Sequence, residues 1–319
     1  MYLFKYILKR LGLVLLTFFV VILVCFVLVK LLPSKPTASF TQSQELIEAR
    51  REKMGYNLPI IQQFYRFVKY GLQGDFGVGE SIYVGSEVWE VFTSKLPYTV
   101  AINIYSTVLS VPLGLVFGVL AAIKKNKWQD HVISTGVMIF VSIPSFIYGF
   151  IVQYLLCFKL GWFPAIMDAS QGAFSWVGFV SVIPAIICMS LGSIASYARS
   201  SRAELAEVLT SDYLLLARTK GLSRGQATVR HAMRNAMVPI FPSILGEFIA
   251  VMSGSLIIEQ MFSIPGVGKL YVSAIKAPIP DYNFFMLLTC FYTLIGLVAS
   301  IIIDISYGII DPRIRMGAR

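Results

Sequence analysis

The stretch "ARTKGLSRGQATVRHAMRN", Ala217 to Asn235, is basic, moderately amphipathic and bordered by long apolar runs. Its helical pattern stops once, at Gly221-Leu222, and restarts at Ser223. A glycine just past a helical run favours a left-handed C-cap. Ser223-Arg224-Gly225-Gln226 has capping-box spacing, with Gln226 able to reach back to the Ser223 backbone. Asp212 is placed to N-cap "YLLLARTK", and Pro239 marks entry into the next apolar run. The expectation is a helix, a tight exposed Gly-Leu turn and a second helix.

The surrounding runs set the fold class. Hydrophobic residues make up 56% of the 319 and charged residues 14%, with mean hydropathy +0.73. Soluble domains carry about 25% charged residues. A helix needs about 20 apolar residues to cross a bilayer. Six runs qualify: 11–32, 97–123, 132–158, 179–198, 238–260 and 284–308. The expectation is an all-α polytopic membrane protein with six transmembrane helices. Its parts are the N-terminus and first span (1–32), an outside segment (33–96) and a five-helix core (97–319) that includes the polar segment 199–237.

The formal net charge of +10 superficially suggests nucleic acid, but its distribution points elsewhere. With the N-terminus inside, the inner segments hold 16 of the 27 basic residues against six acids, and the outer ones eleven against ten. Lysine and arginine bias in short loops orients membrane proteins. The excess is a topology signal that places both termini in the cytoplasm, with no nucleic-acid partner. The first apolar run is longer than a cleavable leader's core of roughly 7–15 residues, so it reads as an uncleaved anchor.

Within 33–96, Ser43 followed by Glu45 opens one short surface helix, and Leu58 to Leu72 reads as another with Gln62, Arg66 and Lys69 on its wet side. "QGDFGVGES" is a turn-rich loop. Trp162 and Trp176 belong at headgroup level. In "SIPSF", Pro144 frees a backbone carbonyl within the span, and Ser142 and Ser145 can re-satisfy neighbouring groups. Such a kink suits either a pathway-lining helix or a plain bundle. Gly114 with Gly118, and Gly246 with Ala250 and Gly254, recur at four-residue spacing and let backbones approach closely. Ser253 and Ser255 accompany the second set; with Ser142 and Ser145 they are the candidate pathway-lining residues.

Glu247 is the clearest ionisable residue inside a span, and such carboxylates are functional candidates. It could meet a substrate amino group or pair with Arg234; its depth favours the pair. "SIPGVGKL" imitates a phosphate loop, but Ser263 stands where that motif needs glycine and Leu270 where it needs serine or threonine. The chain therefore has no phosphate loop of its own. His131 and His231 lack partners at ligand spacing, and Cys25, Cys157, Cys188 and Cys290 all fall in apolar runs. No catalytic constellation or metal cluster is readable, which weighs against an enzyme. No internal repeat is clear either, which weighs against a secondary carrier.

Pattern alone leaves two readings of the opening segment: a lever moved by a partner, or an amphipathic hairpin on anionic lipid. Motifs separate them. "DYLLLARTKGLSRGQATVRHAMRNAMVP" resembles the cytoplasmic loop of permease subunits of ATP-binding-cassette importers, in the dipeptide/oligopeptide/nickel branch. The wider family's loop begins Glu-Ala-Ala, with glycine four residues on, and ends Leu-Pro. Here those positions are Leu215, Leu216, Ala217 and Gly221, and the terminal pair is Met233-Arg234, as in the peptide branch. "YILKRLGLVLL", "GDFGVGES", "LPYTVAIN", "VPLGLVFGVLAAIKKNKWQD", "LGWFP", "IIEQMFSIPGVGKL" and "DPRIR" follow in family order.

The resemblance implies a type I importer permease fold in the plasma membrane of a bacterium or archaeon. It implies a homologous second permease subunit, two cytoplasmic ATPases that bind ATP and magnesium, and an extracytoplasmic solute-binding protein. Ala217, Lys220, Gly221, Leu222 and Ser223 would form the ATPase-coupling turn. Peptides are the implied substrate, with nickel chelates and glutathione as alternatives within the branch; a secondary carrier or membrane enzyme is the remoter alternative.

Overall fold

The computed structural model describes residues 2–31, 48–49, 52–53, 55, 58–250 and 256–310. Twelve helices carry the argument: α1 (Tyr2–Leu31), α2 (Ile60–Gly71), α3 (Val88–Ile123), α4 (Trp128–Ser142), α5 (Ser145–Val152), α6 (Trp176–Val208), α7 (Asp212–Thr219), α8 (Arg224–Ala227), α9 (Met233–Ala250), α10 (Leu256–Met261), α11 (Val267–Lys276) and α12 (Tyr282–Ile310). A π-helical stretch extends α5 over Gln153–Lys159, and another, Thr228–Ala232, joins α8 to α9.

Among the described residues, four helices are long and apolar enough to cross a membrane: Leu8–Leu31, Val88–Ile123, Trp176–Val208 and Tyr282–Ser306. The expected span 132–158 is α4 and the extended α5, which bend by 104°. The break is sharper than the expected kink. Ile143 is extended and Pro144 occupies the N-cap of α5, so the proline ends one helix and begins the next. The run 238–260 falls on α9 and α10, with 251–255 outside the described residues. Among the described residues, helices of spanning length and composition thus account for four of the six expected runs, or five counting the bent pair.

The chain packs as two compact units that interleave along the sequence. The first draws on 1–101, 169–178 and 252–298. In it, Ile22, Phe26 and Val29 of α1 pack with Phe64 of α2 and with Tyr282 and Met286 of α12. The Phe26 and Phe64 rings meet edge-on, 5.4 Å apart. A second cluster joins Val88 and Phe92 to Val267, Leu270 and Ala274 of α11 and to Phe284 and Leu288 of α12. That packing explains why α3 starts at Val88, ahead of the apolar run at 97. α2 lies within the expected 58–72, with Gln62 and Lys69 exposed and Phe64 buried, but Arg66, expected on the wet side, is half-buried.

Two side chains at the start of α12 hold the turn 77–87 of this unit, and Asn283 Nδ2 donates to the Val78 carbonyl at 2.8 Å. Asp281 Oδ2 accepts the backbone N–H groups of Glu80, Ser81 and Ile82 at 2.7, 2.8 and 3.1 Å. Its Oδ1 accepts the Phe284 N–H at 3.3 Å, so the same carboxylate N-caps α12. Burial pushes the Asp281 carboxyl above its ordinary value, against the four amides, which pull it down.

The second unit draws on 102–168, 179–251 and 299–319. Here α3 and α6 touch along the expected glycines. A Cβ on Gly114 would lie 2.5 Å from Tyr197 Cβ, and one on Gly118 would lie 2.5 Å from Ser201 Cβ and 2.7 Å from the Ala198 carbonyl oxygen. A Cβ on Gly246 would meet a side-chain end instead, with Ile303 Cδ1 at 2.5 Å. Ser106 and Ser190, both buried, hydrogen-bond across the α3–α6 seam at 3.2 Å. Gly118→Val is expected to force backbone from backbone and cost about 1–3 kcal/mol. A lowered melting midpoint in detergent, with Gly136→Val as an open-site control, checks this; Gly136 has no neighbour within 4 Å of a Cβ.

Candidate functional site

The segment that follows α6 forms a sharp elbow. α7 begins after Ser211, which takes the extended N-cap conformation, so Asp212 is the first helical residue and not the cap. Its charge then lies in the first turn, where it favours the helix dipole. At the far end Gly221 has φ +93°. The Gly221 N–H donates to the Arg218 carbonyl at 3.0 Å and the Leu222 N–H to the Ala217 carbonyl at 3.4 Å. That is a Schellman closure. The next helix opens with reciprocal caps: the Ser223 N–H donates to Gln226 Oε1 at 3.1 Å and the Gln226 N–H to Ser223 Oγ at 3.3 Å.

Capping makes the elbow locally rigid, and apolar packing attaches it to the second unit. Leu214 of α7, Ala227 of α8, and Ala232 and Ala236 beyond it are buried with Leu205 of α6 and Ala122 of α3. The sequence-derived residues divide between two faces. Leu222 is half-buried against that cluster, and Ala217 is buried one turn along α7 from Leu214, so both face their own chain. Lys220, Gly221 and Ser223 are exposed at the turn.

The exposed face also carries Tyr213, Leu215 and Leu216, at 42%, 59% and 56% accessibility. The sequence reading missed their outward direction. The signal was the 3.6-residue period: Leu214 and Ala217 share one side of α7, which turns Tyr213 and Leu216 away. Apolar side chains on an otherwise polar elbow form a surface suited to a protein partner.

The other candidates stay apart. Ser142 is exposed and Ser145 half-buried, on either side of the α4–α5 break. Ser253 and Ser255 lie outside the described residues, as does the side chain of Glu247. His131 and His231 are exposed, as are Trp162 and Trp176.

Residues 114–316 match the family model described as the binding-protein-dependent transport system inner membrane component. The chain belongs to that family. This permease is 33% identical over 312 residues to the dipeptide transport system permease protein DppB of Lactococcus lactis subsp. cremoris, covering 98% of this chain and 99% of the relative. It is 32% identical over 316 residues to DppB of Bacillus subtilis, covering 98% of each. It is 30% identical over 314 residues to the glutathione transport system permease protein GsiC of Escherichia coli K12, covering 98% and 99%. The permease is thus a multi-pass membrane subunit that serves transport and is not an enzyme. Its system depends on a binding protein.

The phosphate-loop imitation in this permease has a structural purpose that the sequence hid. Glu259 is fully buried, and its Oε2 accepts the Lys269 N–H at 2.9 Å in the first turn of α11. Thr99 Oγ1 donates to Glu259 Oε1 at 2.9 Å and accepts the Val267 N–H at 2.8 Å. A Cβ on Gly266 would collide with Glu259 Oε2, and one on Gly268 would lie 2.9 Å from it. The glycine-rich turn does cradle an acidic group at a helix N-terminus. That group is the chain's own Glu259 carboxyl.

Proposed function

We propose that this chain is the membrane-spanning permease of an ATP-driven importer that moves short peptides handed over by an extracytoplasmic solute-binding protein. A homologous second permease subunit completes the path, and two ATPases on the cytoplasmic side, where both termini also lie, bind ATP and magnesium and supply the work. The observation that carries the reading is the elbow at Gly221: doubly capped, tied to the bundle by Leu214, and presenting Tyr213, Leu215 and Leu216 outward. A stiff projection with an apolar outer face passes a partner's displacement to the helices that carry it. The state shift it produces equals the difference in the partner's affinity for the two states.

The peptide assignment follows the full-length similarity to dipeptide permeases. Glutathione, itself a modified tripeptide, is the second reading, because GsiC is similar over the same length.

The test is ATP-driven uptake by the reconstituted permease, its partner subunits and its binding protein, offered labelled dipeptide, longer peptide, glutathione or nickel chelate. Peptide uptake is expected to exceed the others; saturable nickel-chelate uptake with no peptide uptake would overturn the assignment. Leu216→Asp is expected to reduce co-purification of the ATPases at least tenfold, as for loss of an interface anchor worth about 2 kcal/mol. Full recovery of the ATPases with that variant would remove the elbow from the interface.

A further inference from the structure

We propose that the Asp130–Arg202 pair is the joint through which displacement of the elbow reaches α4, making both positioning residues for transport. The proposal rests on the importer reading above.

Asp130, in the first turn of α4, is 1% exposed. Arg202 Nε donates to its Oδ1 at 2.5 Å and Arg202 Nη2 to its Oδ2 at 2.9 Å. The Asn126 N–H donates to Oδ2 at 2.9 Å and Ser134 Oγ to Oδ1 at 3.2 Å. Asn126 itself has φ +64°, so the turn between α3 and α4 folds back onto the carboxylate. Every contact to Asp130 is thus directional, and the guanidinium grips both oxygens.

The placement of the pair distinguishes it from ordinary fold glue. Arg202 sits on α6 beside Ser201, which meets Gly118 of α3, and one turn before Leu205, which packs in the elbow cluster. α6 ends at Val208, and α7 begins four residues later. On its other side, Asp130 lies in the first turn of the helix that runs to the 104° break at Pro144. The pair therefore spans from the end of α6 that bears the elbow to the start of the helix that leads to the break.

Apolar contacts allow helices to slide, whereas a two-point fork sets angle as well as distance. With the Arg202 side chain 34% exposed, solvent screens the pair and leaves it weak as a source of net stability. Transmission of a defined tilt is the property this geometry provides.

The experiment uses the whole transporter in proteoliposomes, with labelled dipeptide uptake and phosphate release read from the same vesicles. Asp130→Asn removes the charge; Arg202→Lys keeps the charge and loses the fork. In assembled complexes, dipeptide taken up per ATP hydrolysed is expected to fall about tenfold for Asp130→Asn and by less for Arg202→Lys. The double variant is expected to be no worse than Asp130→Asn alone, as members of one coupled pair behave.

Wild-type uptake per ATP in assembled Asp130→Asn complexes would overturn the proposal. If Asp130→Asn yields no complex, Arg202→Lys decides: assembled at wild-type coupling, it overturns the proposal equally. A loss of uptake matched in each variant by an equal loss of assembled complex would reduce the pair to a fold contact and also overturn it. Wild-type vesicles that take up no peptide, glutathione or nickel chelate would overturn the importer reading, and this proposal with it.

Discussion

Gly221→Pro is expected to abolish ATP-driven uptake while leaving the chain inserted in the membrane and able to assemble. Gly221 holds φ +93° and donates its N–H to Arg218. Proline sets φ near about −65° and has no N–H to give. Both bonds of the closure then fail, and Leu222 loses the register that places it against the cluster of Leu205 and Leu214. The damage stays local, because nothing lies within 4 Å of a Cβ at this position.

The elbow becomes a hinge, and force delivered to it is dissipated in bending. ATP hydrolysis by the partner subunits is expected to continue without peptide uptake. Gly221→Asn is the matched control, because asparagine visits the left-handed region at a cost below other residues; it is expected to keep most uptake. Normal transport by Gly221→Pro in the assay of uptake and phosphate release would refute the lever.

Asp281→Ala carries the largest expected loss of stability. It leaves the N–H groups of Glu80, Ser81 and Ile82 without their acceptor and removes the cap of α12. Each buried unsatisfied group costs about 1–3 kcal/mol and a lost cap about 1 kcal/mol. The combined effect is on the order of 3 kcal/mol or more, even after turn 77–87 relaxes toward solvent.

Asp281→Asn should cost less. Burial already disfavours the charge, and the amide keeps one acceptor at lower desolvation cost. The Lys53–Asp75 pair is the contrast: its bridge is 2.7 Å long, but Lys53 is 47% exposed, so Lys53→Met should change stability by less than about 1 kcal/mol. Melting midpoints of the three variants in one detergent check the order. A shift for Asp281→Ala no larger than that of Lys53→Met would show that the three amides find other acceptors.

Much of the elbow was legible because its determinants are local. Gly221, Ser223 and Gln226 act within a few residues of chain, so a left-handed C-cap and a capping box could be read as patterns and were found with their bonds. The same holds for the glycines of α3, whose spacing marks a packing stripe, whereas Pro144 was legible as a kink but not as the end of one helix and the start of the next. The helix N-cap at 211 and 212 was misplaced by one residue because serine and aspartate are both good caps, and only the backbone angles of Ser211 tell them apart.

The outward face of α7 and the roles of Asp130, Glu259 and Asp281 were not legible. Asp281 meets residues 199 to 201 positions away, Glu259 meets Thr99 across 160, and Asp130 meets Arg202 across 72. No local pattern encodes such partners. In the sequence Asp130 and Asp281 look like solvated loop charges, and Glu259 falls at the end of an apolar run expected to cross the membrane.

Composition and run length were enough to make this chain a membrane bundle, since the bilayer demands apolar length whatever the helices pack against. Local stereochemistry was enough to bend it at Gly221 and Pro144. Which acids are buried, which amides they satisfy and which side of the elbow faces outward depended on helices distant in the chain coming together. Burial and charge pairing are properties of neighbours in space, and neighbours of that kind exist only after folding.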